Sequence, residues 1–281
     1  DSTNLGKGIF AIEGALWAGV EISPLPSVLI SPSFRLVLTK AEIVPVPKIG
    51  LALFAQNGFT LKTNVFRVYK NPNFNDLYWT ADIMAAGNPD LKPEHGYGAD
   101  FIISKEVPGI FSVEGTLFFA RHKDAIIWNP DGSVWKPMNV GEALYAGADL
   151  QGELSLPYSF SVSLSYSFLQ TWLLTNKLNF SDNRRMPYIP LHKGNASLAW
   201  KNKNTAVTVS SQFIGSRFTS TDNLTSLPRI VTFDAGLSQI VRDRFTCYIE
   251  VKNLSRAKVV LIDGYPLPEM TITLGARYTL Q

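Results

Sequence analysis

Polar and apolar residues alternate along SFSVSLSYSFLQTW, residues 159–172. Ser161, Ser163, Ser165 and Ser167 take one phase; Phe160, Val162, Leu164, Tyr166 and Phe168 take the other. Side chains of a strand point alternately to opposite faces, so the pattern predicts a long strand with one hydroxylated and one oily face. The same period recurs from end to end. TITLGARYTL sets Ile272, Leu274, Ala276, Tyr278 and Leu280 against Thr271, Thr273, Gly275, Arg277 and Thr279. AGADLQGELSL, GIFSVEGTLFFA, RFTCYIEVK and AIEGALWAGVEI repeat it. Helical periodicity is nearly absent, and pattern plus turn signals predict about thirteen strands.

The connections carry a second regularity. SPLPS, QNG, VPG, LPYS, KNKN and VRDR are tight, and they alternate with longer segments. The longer ones are TKAEIVPVP, residues 70–95, 123–142, 173–192, 215–229 and 253–269. An up-and-down sheet places every second connection at the same end. Short turns at one end and long loops at the other are the build of an outer-membrane barrel. Aromatics mark the rims: Phe160, Trp200, Phe245 and Tyr278 stand on the oily phase near short turns, and Trp172 at the opposite end of its strand. Such rings suit the headgroup level. A soluble β-sandwich would also alternate, but its strands average about 5–6 residues, far fewer than Phe160 to Trp172. Pro32, inside LISPSFRLVL, predicts a bulge or a shortened strand, because proline removes a ladder donor.

Composition narrows the classes further. Only 17% of the 281 residues are charged, below the roughly 25% of soluble domains, and the net charge is +3. Lys and Arg are scattered, without the basic stripe of a nucleic-acid surface. No run reaches the roughly 18 apolar residues of a spanning helix, whereas a spanning strand needs only about 9–11. Cys247 is the single cysteine, which excludes an internal disulfide and a cysteine-based metal centre. Its phase makes it an apolar filler of the oily face.

Three motifs resemble those of a known family. NPNFNDLYW (Asn71 to Trp79) followed by GNPDLKPE (Gly87 to Glu94) is similar to the signature pair of TonB-dependent outer-membrane receptors of the cobalamin and siderophore type. NLSRAKVV…GYPLPE (Asn253 to Glu269) resembles their last extracellular loop, with Glu269 where members carry glycine then arginine. The final strand, with Gly275, Tyr278 and Leu280, resembles the C-terminal assembly signal, although the chain ends in Gln281 rather than an aromatic. The resemblance implies an all-β, antiparallel, up-and-down transmembrane barrel. About thirteen strands would form the C-terminal part of a barrel of about 22, with residues 1–281 one barrel portion. The plug, the TonB box and the opening strands are then expected outside this chain.

The same resemblance implies an active-transport receptor in the outer membrane of a Gram-negative, diderm bacterium. It would bind a scarce nutrient complex, cobalamin or a ferric siderophore, and pass it inward with energy from TonB, ExbB and ExbD. Lipid and lipopolysaccharide are the expected surroundings. No resident cofactor or metal and no catalysis are expected: H-E-x-x-H, G-x-S-x-G and Walker patterns are missing from the sequence. Within the loops, Trp128 and Trp135 offer indoles for stacking on a flat ligand, alongside Tyr188. Arg184 and Arg185 offer guanidiniums for carboxylate or phosphate groups, on the ligand or on lipopolysaccharide. Packing of the loop is the competing role for the aromatics, and the Pro- and Asn-rich signature pair favours loop ordering. Ser161, Ser163, Ser165, Asp149, Glu153, Asp234, Glu250, Lys252 and Arg277 share the lumen phase, where they would hold the plug or be hydrated. Two other readings stay open. One is a passive porin. The other is an outer-membrane phospholipase, for which LHKGNASL puts His192, at a loop exit, and Asn195 near Ser197.

Overall fold

A computed structural model describes residues 12–39, 42–176, 183–241 and 244–279. Leu280 and Gln281 of the C-terminal signal, and Arg242 and Asp243 of the VRDR turn, lie outside the described residues. One 14-stranded antiparallel sheet dominates. It begins with β1 (Gly14–Gly19) and β2 (Ile22–Leu25), two pieces of one edge strand that both pair with β3 (Val28–Leu38). It continues through β4 (Ile43–Phe54), β5 (Phe59–Lys70), β6 (Glu94–Val107), β7 (Phe111–Lys123), β10 (Gly141–Leu156) and β11 (Phe160–Asn176). It ends with β12 (His192–Lys201), β13 (Thr205–Ile214), β16 (Ile230–Val241), β17 (Phe245–Lys252) and β20 (Thr271–Tyr278). Each strand pairs with the next one along the chain, so counting β1 with β2 gives thirteen positions, as the pattern predicts.

The remaining strands decorate the long connections. They are the hairpins β8 (Ile126–Asp131) with β9 (Val134–Asn139), β14 (Arg217–Phe218) with β15 (Ser226–Leu227), and β18 (Val260–Ile262) with β19 (Tyr265–Pro266). The loop after β5 carries a one-turn helix, α1 (Phe74–Tyr78). No helix among the described residues is long and apolar enough to cross a membrane, which says nothing of strands. β6, β7, β10 and β11 are 14, 13, 16 and 17 residues long. About 9–11 residues cross a bilayer, so these strands extend past it and carry the loops clear of the membrane.

The register sorts the side chains as the alternation predicts. Ser163 lies opposite Glu153 on one side and Ser197 on the other, and the row continues to Ser210 and Asp234. The next row joins Glu114, Gln151, Ser165, Asn195 and Gln212. Ser161 and Asp149 belong to the same face, as do Glu250, Lys252 and Arg277 at the far edge. On the other face Leu117 and Leu164 are 60% and 57% exposed, within a continuous belt that includes Phe101, Leu150, Leu198, Phe233 and Leu274. So wide an apolar belt cannot face water and fits hydrocarbon. Its rim aromatics pair across strands: Phe160 opposite Trp200, with ring centroids 6.5 Å apart, and Phe245 opposite Tyr278. Cys247 sits on this face, opposite Ala276.

On the polar face, three glycines face aromatic rings directly across the ladder: Gly98 with Phe66, Gly147 with Phe118 and Gly275 with Tyr248. A Cβ on Gly275 would stand 2.2 Å from the Tyr248 ring, so each ring occupies the space a side chain would need. The aromatic thereby packs on backbone, which compensates for a glycine that otherwise weakens a strand.

Two expectations need correction. TKAEIVPVP is not a long loop: β3 ends at Leu38 and β4 starts at Ile43, leaving four residues between them. Pro45 and Pro47 are tolerated inside β4 because that stretch pairs with β3 alone; pairing with β5 starts only at Lys48. A proline needs no donor on an unpaired side. Pro32 neither bulges nor shortens its own strand, since β3 keeps register with β4 through Pro32 and Ile49. The irregularity falls on the partner. β1 stops at Gly19, Val20 donates to the Pro32 carbonyl at 3.1 Å, and β2 resumes with Ile22 opposite Ile30 in the same register, which shifts only between Ile22 and Leu25.

Candidate ligand-binding canopy and lumen wall

Curvature of the sheet makes the polar face concave. Side chains from β5 to β16 line one depression of about 830 Å³, among them Lys62, Glu114, Glu153, Ser163, Asn195 and Asp234. Its hydrogen bonds run strand to strand. Asn64 donates to Asp100 at 2.6 Å, Gln151 to Glu114 at 3.0 Å and Asn195 to Ser165 at 3.1 Å. Asp234 accepts the Asn253 amide at 2.7 Å, which ties the last long loop to the wall, and Lys252 lies 3.6 Å from Glu250. Hydroxyls, amides and carboxylates dominate this surface, a lining suited to water or to a polar protein surface. No group of three or more potential metal ligands forms among the described residues.

Above this wall the long loops knit into a canopy, beginning with the signature pair. Asn73 caps α1: its side chain accepts from the Asp76 amide at 2.8 Å, and its own amide donates to Asp76 at 3.1 Å. Asp76 is 5% exposed, and its other oxygen accepts the Trp128 indole N–H at 2.9 Å. Trp79 meets Trp128 edge to face, centroids 6.3 Å apart. Asn88 donates to the Pro137 carbonyl at 3.0 Å, while Asn139 bonds both the amide and the carbonyl of Lys92 at 2.8 and 2.9 Å. The Asn and Asp side chains of the motif therefore satisfy loop backbone, in the loop-ordering role their composition suggests. Glu94, at the end of the motif, is buried beside Lys70 at 2.7 Å and His122 at 3.9 Å.

The other loops join in turn. Thr221 donates to Asn129 at 2.9 Å in a fully buried contact. Asn223 accepts the Arg185 amide at 2.7 Å and returns a bond to its carbonyl at 2.9 Å. Arg217 is buried, and its guanidinium donates to the carbonyls of Pro228 and Val260, which pins the β14–β15 loop to the last one. Burial lowers its pKa and that of Arg185. An apolar cluster of Ala125, Ile127, Val140, Ala143, Leu173 and Met186 sits at the foot of the canopy, with the Met186 amide bonded to buried Thr171 at 2.9 Å.

The five loop residues singled out in the sequence come together only in part. Trp128 and Trp135 lie on facing strands of the β8–β9 hairpin. Trp128 spends its indole on Asp76, and the Trp135 backbone pairs with Met84 and Ala86. Arg184 bridges to Leu173. Arg185 lies over the Phe218 ring at 5.6 Å and donates to the Ile189 carbonyl at 3.3 Å, so it packs the loop. Tyr188 holds a left-handed backbone at φ 60°, fixed by its amide bond to Phe218 at 2.7 Å, and burial raises its hydroxyl pKa. Strain of this kind, about 1–3 kcal/mol, persists where the surroundings over-determine it. Sequence reasoning missed Asp76 and Arg217 as anchors. His192 is the first residue of β12 rather than a loop residue, and it receives or gives the Tyr166 hydroxyl bond at 2.7 Å. Ser197 is five residues on in the same strand and so on the opposite face, which dissolves the Ser/His arrangement.

Comparison with known proteins agrees with this architecture. The family described as TonB dependent receptor-like, beta-barrel matches residues 15–254. The chain is 27% identical over 221 residues to the vitamin B12 transporter BtuB of Photobacterium profundum, covering 75% of this chain and 34% of that protein. It is 32% identical over 85 residues to the vitamin B12 transporter BtuB of Vibrio vulnificus, covering 30% of this chain and 13% of that protein. The chain thus spans about a third or less of the length of these curated relatives. Among solved structures, the copper transporter OprC superposes with a TM-score of 0.78 at 13% identity, over 95% of this chain and 47% of that one. A variant of the ferric enterobactin receptor PfeA of Pseudomonas aeruginosa gives 0.73 at 18%, over 95% and 44%. These likenesses establish the fold, and with the family match over most of its length the chain belongs to the TonB-dependent receptor-like β-barrels.

Proposed function

We propose that this chain is the barrel portion of an outer-membrane receptor that takes up a scarce nutrient complex of the cobalamin or ferric-siderophore type. The observation that carries the reading is the cross-bonded loop canopy standing over a polar concave wall, with an apolar belt on the reverse face. A canopy held by long-range contacts is preorganised, so a ligand meets it without a large ordering cost. The two BtuB relatives favour the cobalamin type among the candidates. In this reading Trp128 and Arg185 order the loops, whereas Trp135, Arg184 and Tyr188 supply ring surface and charge to the ligand. Ser163, Ser165, Glu153 and Asp234 face a plug, and TonB with ExbB and ExbD energises release.

The test is calorimetric titration of the full-length protein with cyanocobalamin and with ferric catecholate and hydroxamate chelates. Submicromolar binding of one class, together with TonB-dependent growth on it, is expected. Absence of binding to every class, combined with steady ion conductance in planar bilayers, would favour the passive-channel reading instead.

A further inference from the structure

One seam of the sheet is left without its ladder. β4 pairs with β3 all the way from Leu53 to Ile43, but its pairing with β5 ends at Lys48, opposite Phe66. β5 itself runs on to Lys70 beside β6. The cause lies in the sequence. Phe54 donates to Ser27 on the β3 side, so the even residues of β4 turn their backbone groups to β3 and the odd ones to β5. Pro45 and Pro47 are odd, so the two missing N–H donors fall on the β5 side. The Pro45 carbonyl faces the same way and accepts from the Arg67 guanidinium at 2.8 Å. Farther along β5, the Tyr69 hydroxyl reaches Glu42 at 3.1 Å and Asn71 at 2.7 Å. Side chains therefore bridge the two strands above Lys48, where a ladder joins them below.

The seam opens at a defined level. From the turn at Asn57 to Lys48, at about 3.4 Å per residue and a tilt of about 40°, the strand climbs about 23 Å, close to the roughly 25 Å apolar band of such barrels. The seam thus starts where the hydrocarbon of the outer leaflet ends. The connection above it, residues 39–42, is too short for a hairpin of the β8–β9 kind. Both faces are apolar here. Outward, the exposed Ile49 and Val65 of the belt lead up to Pro47, Pro45 and Ile43, the last 64% exposed. Inward, Val46 and Val68 flank the seam, and Val37 and Val44 are buried beside it. An apolar path therefore runs from the lumen face through the wall and is continuous with the lipid-facing surface.

We propose that this seam is a side gate in the barrel wall, latched by Arg67, through which a ligand held under the canopy lays an alkyl chain outward onto the lipid-facing belt. The valines and prolines keep water from the chain, while the polar head of the ligand stays on the hydroxyls and amides of the lumen wall. Opening breaks the Arg67 bond to Pro45, and no β4–β5 ladder pair lies above Lys48 to be broken with it. The gate thus moves without unzipping the sheet. The proposal rests on the receptor reading and adds to it a ligand class, alkyl-bearing ferric chelates, beside the cobalamin type that the relatives favour.

Competition binding to the full-length protein in lipid nanodiscs tests it, with a ferric trihydroxamate bearing a dodecanoyl chain and the same chelate without the chain as probes. The wild type should bind the acylated chelate about tenfold more tightly or better, because the chain gains apolar burial. The Pro45→Val, Pro47→Val double variant supplies the two missing amide donors and lets the ladder close. It should resist urea better, keep its affinity for the bare chelate and lose the preference to within about twofold. Arg67→Gln frees the gate and should keep the preference; its loss there would remove Arg67 from the latch. Should the double variant fail to fold, judged by heat-modifiable gel mobility, a Pro45→Cys, Tyr69→Cys pair in a Cys247→Ala background carries the test. Its disulfide should abolish the preference, and dithiothreitol should restore it. Partition of the chain into nanodisc lipid is common to all variants and cancels. A preference that survives zipping or cross-linking overturns the gate, as does a wild type that binds both chelates equally. Binding of cyanocobalamin but of neither chelate also overturns the gate and leaves the receptor reading standing, whereas a protein that binds none of the three defeats that reading itself.

Discussion

Trp128 donates its indole N–H to Asp76 across 52 residues of sequence, at 2.9 Å. The same carboxylate closes the capping box of α1, so one buried acid joins two loops. Replacing it leaves the Asn73 amide and the Trp128 indole without their acceptor, at about 1–3 kcal/mol for each buried orphan. Asp76→Ala should therefore raise hydrogen exchange throughout residues 71–93 and 124–140 while leaving the sheet amides protected. Unchanged exchange in the second loop would remove the carboxylate from its bridging role.

The glycine–aromatic pairs make a graded prediction. At Gly275 the atoms nearest an added Cβ all belong to the Tyr248 side chain, whereas at Gly147 the backbone oxygen of Phe168 is as near as the Phe118 ring, at 2.4 Å. Overpacking costs about 1–3 kcal/mol. Gly275→Ala should lower the yield of folded barrel and be rescued by Tyr248→Ala. Gly147→Ala should stay defective when combined with Phe118→Ala. Heat-modifiable gel mobility reads both, and equal rescue at the two sites would contradict the register.

Adjacent residues of β11 test the faces. Leu164 stands on the apolar belt and Ser163 in the polar row. Leu164→Arg should destabilise the folded barrel in bilayers by about 2–4 kcal/mol, and Ser163→Arg by much less. Urea unfolding from vesicles measures the difference, and equal costs would invalidate the assignment of lipid and lumen.

A pH effect is expected in the β14–β15 loop. The Asp222 carboxylate is held below its ordinary pKa, first by the Leu224 amide and then by the Ser220 hydroxyl, at 3.0 and 2.5 Å. A depressed folded pKa contributes order that is complete above the unfolded carboxylate value and lost as pH falls through the folded one. Protection of the Leu224 amide should thus fall under acid conditions and stay level from neutral pH upward. Asp222→Asn should abolish that acid dependence; a variant that keeps it would place the titrating group elsewhere.

The alternation of serine with leucine, phenylalanine and valine determined the sheet, its two faces, the strand count and the rim aromatics by itself, because side-chain direction in a strand has a period of two regardless of neighbours. The Pro- and Asn-rich composition of the signature pair separately pointed to loop ordering. Tertiary structure alone decided the rest. Pro45 and Pro47 read as loop until the late start of the β4–β5 ladder shows them on a locally unpaired edge. Trp128 and Arg185 offer a ring and a charge in the sequence, and only the fold shows Asp76 and Phe218 beside them. Those partners, like Thr221 on Asn129 across 92 residues, meet only after the strands have set the loops side by side. Local pattern encodes a strand because its geometry repeats every two residues, whereas a loop has no repeat, and its contacts depend on which distant segments the sheet brings within reach.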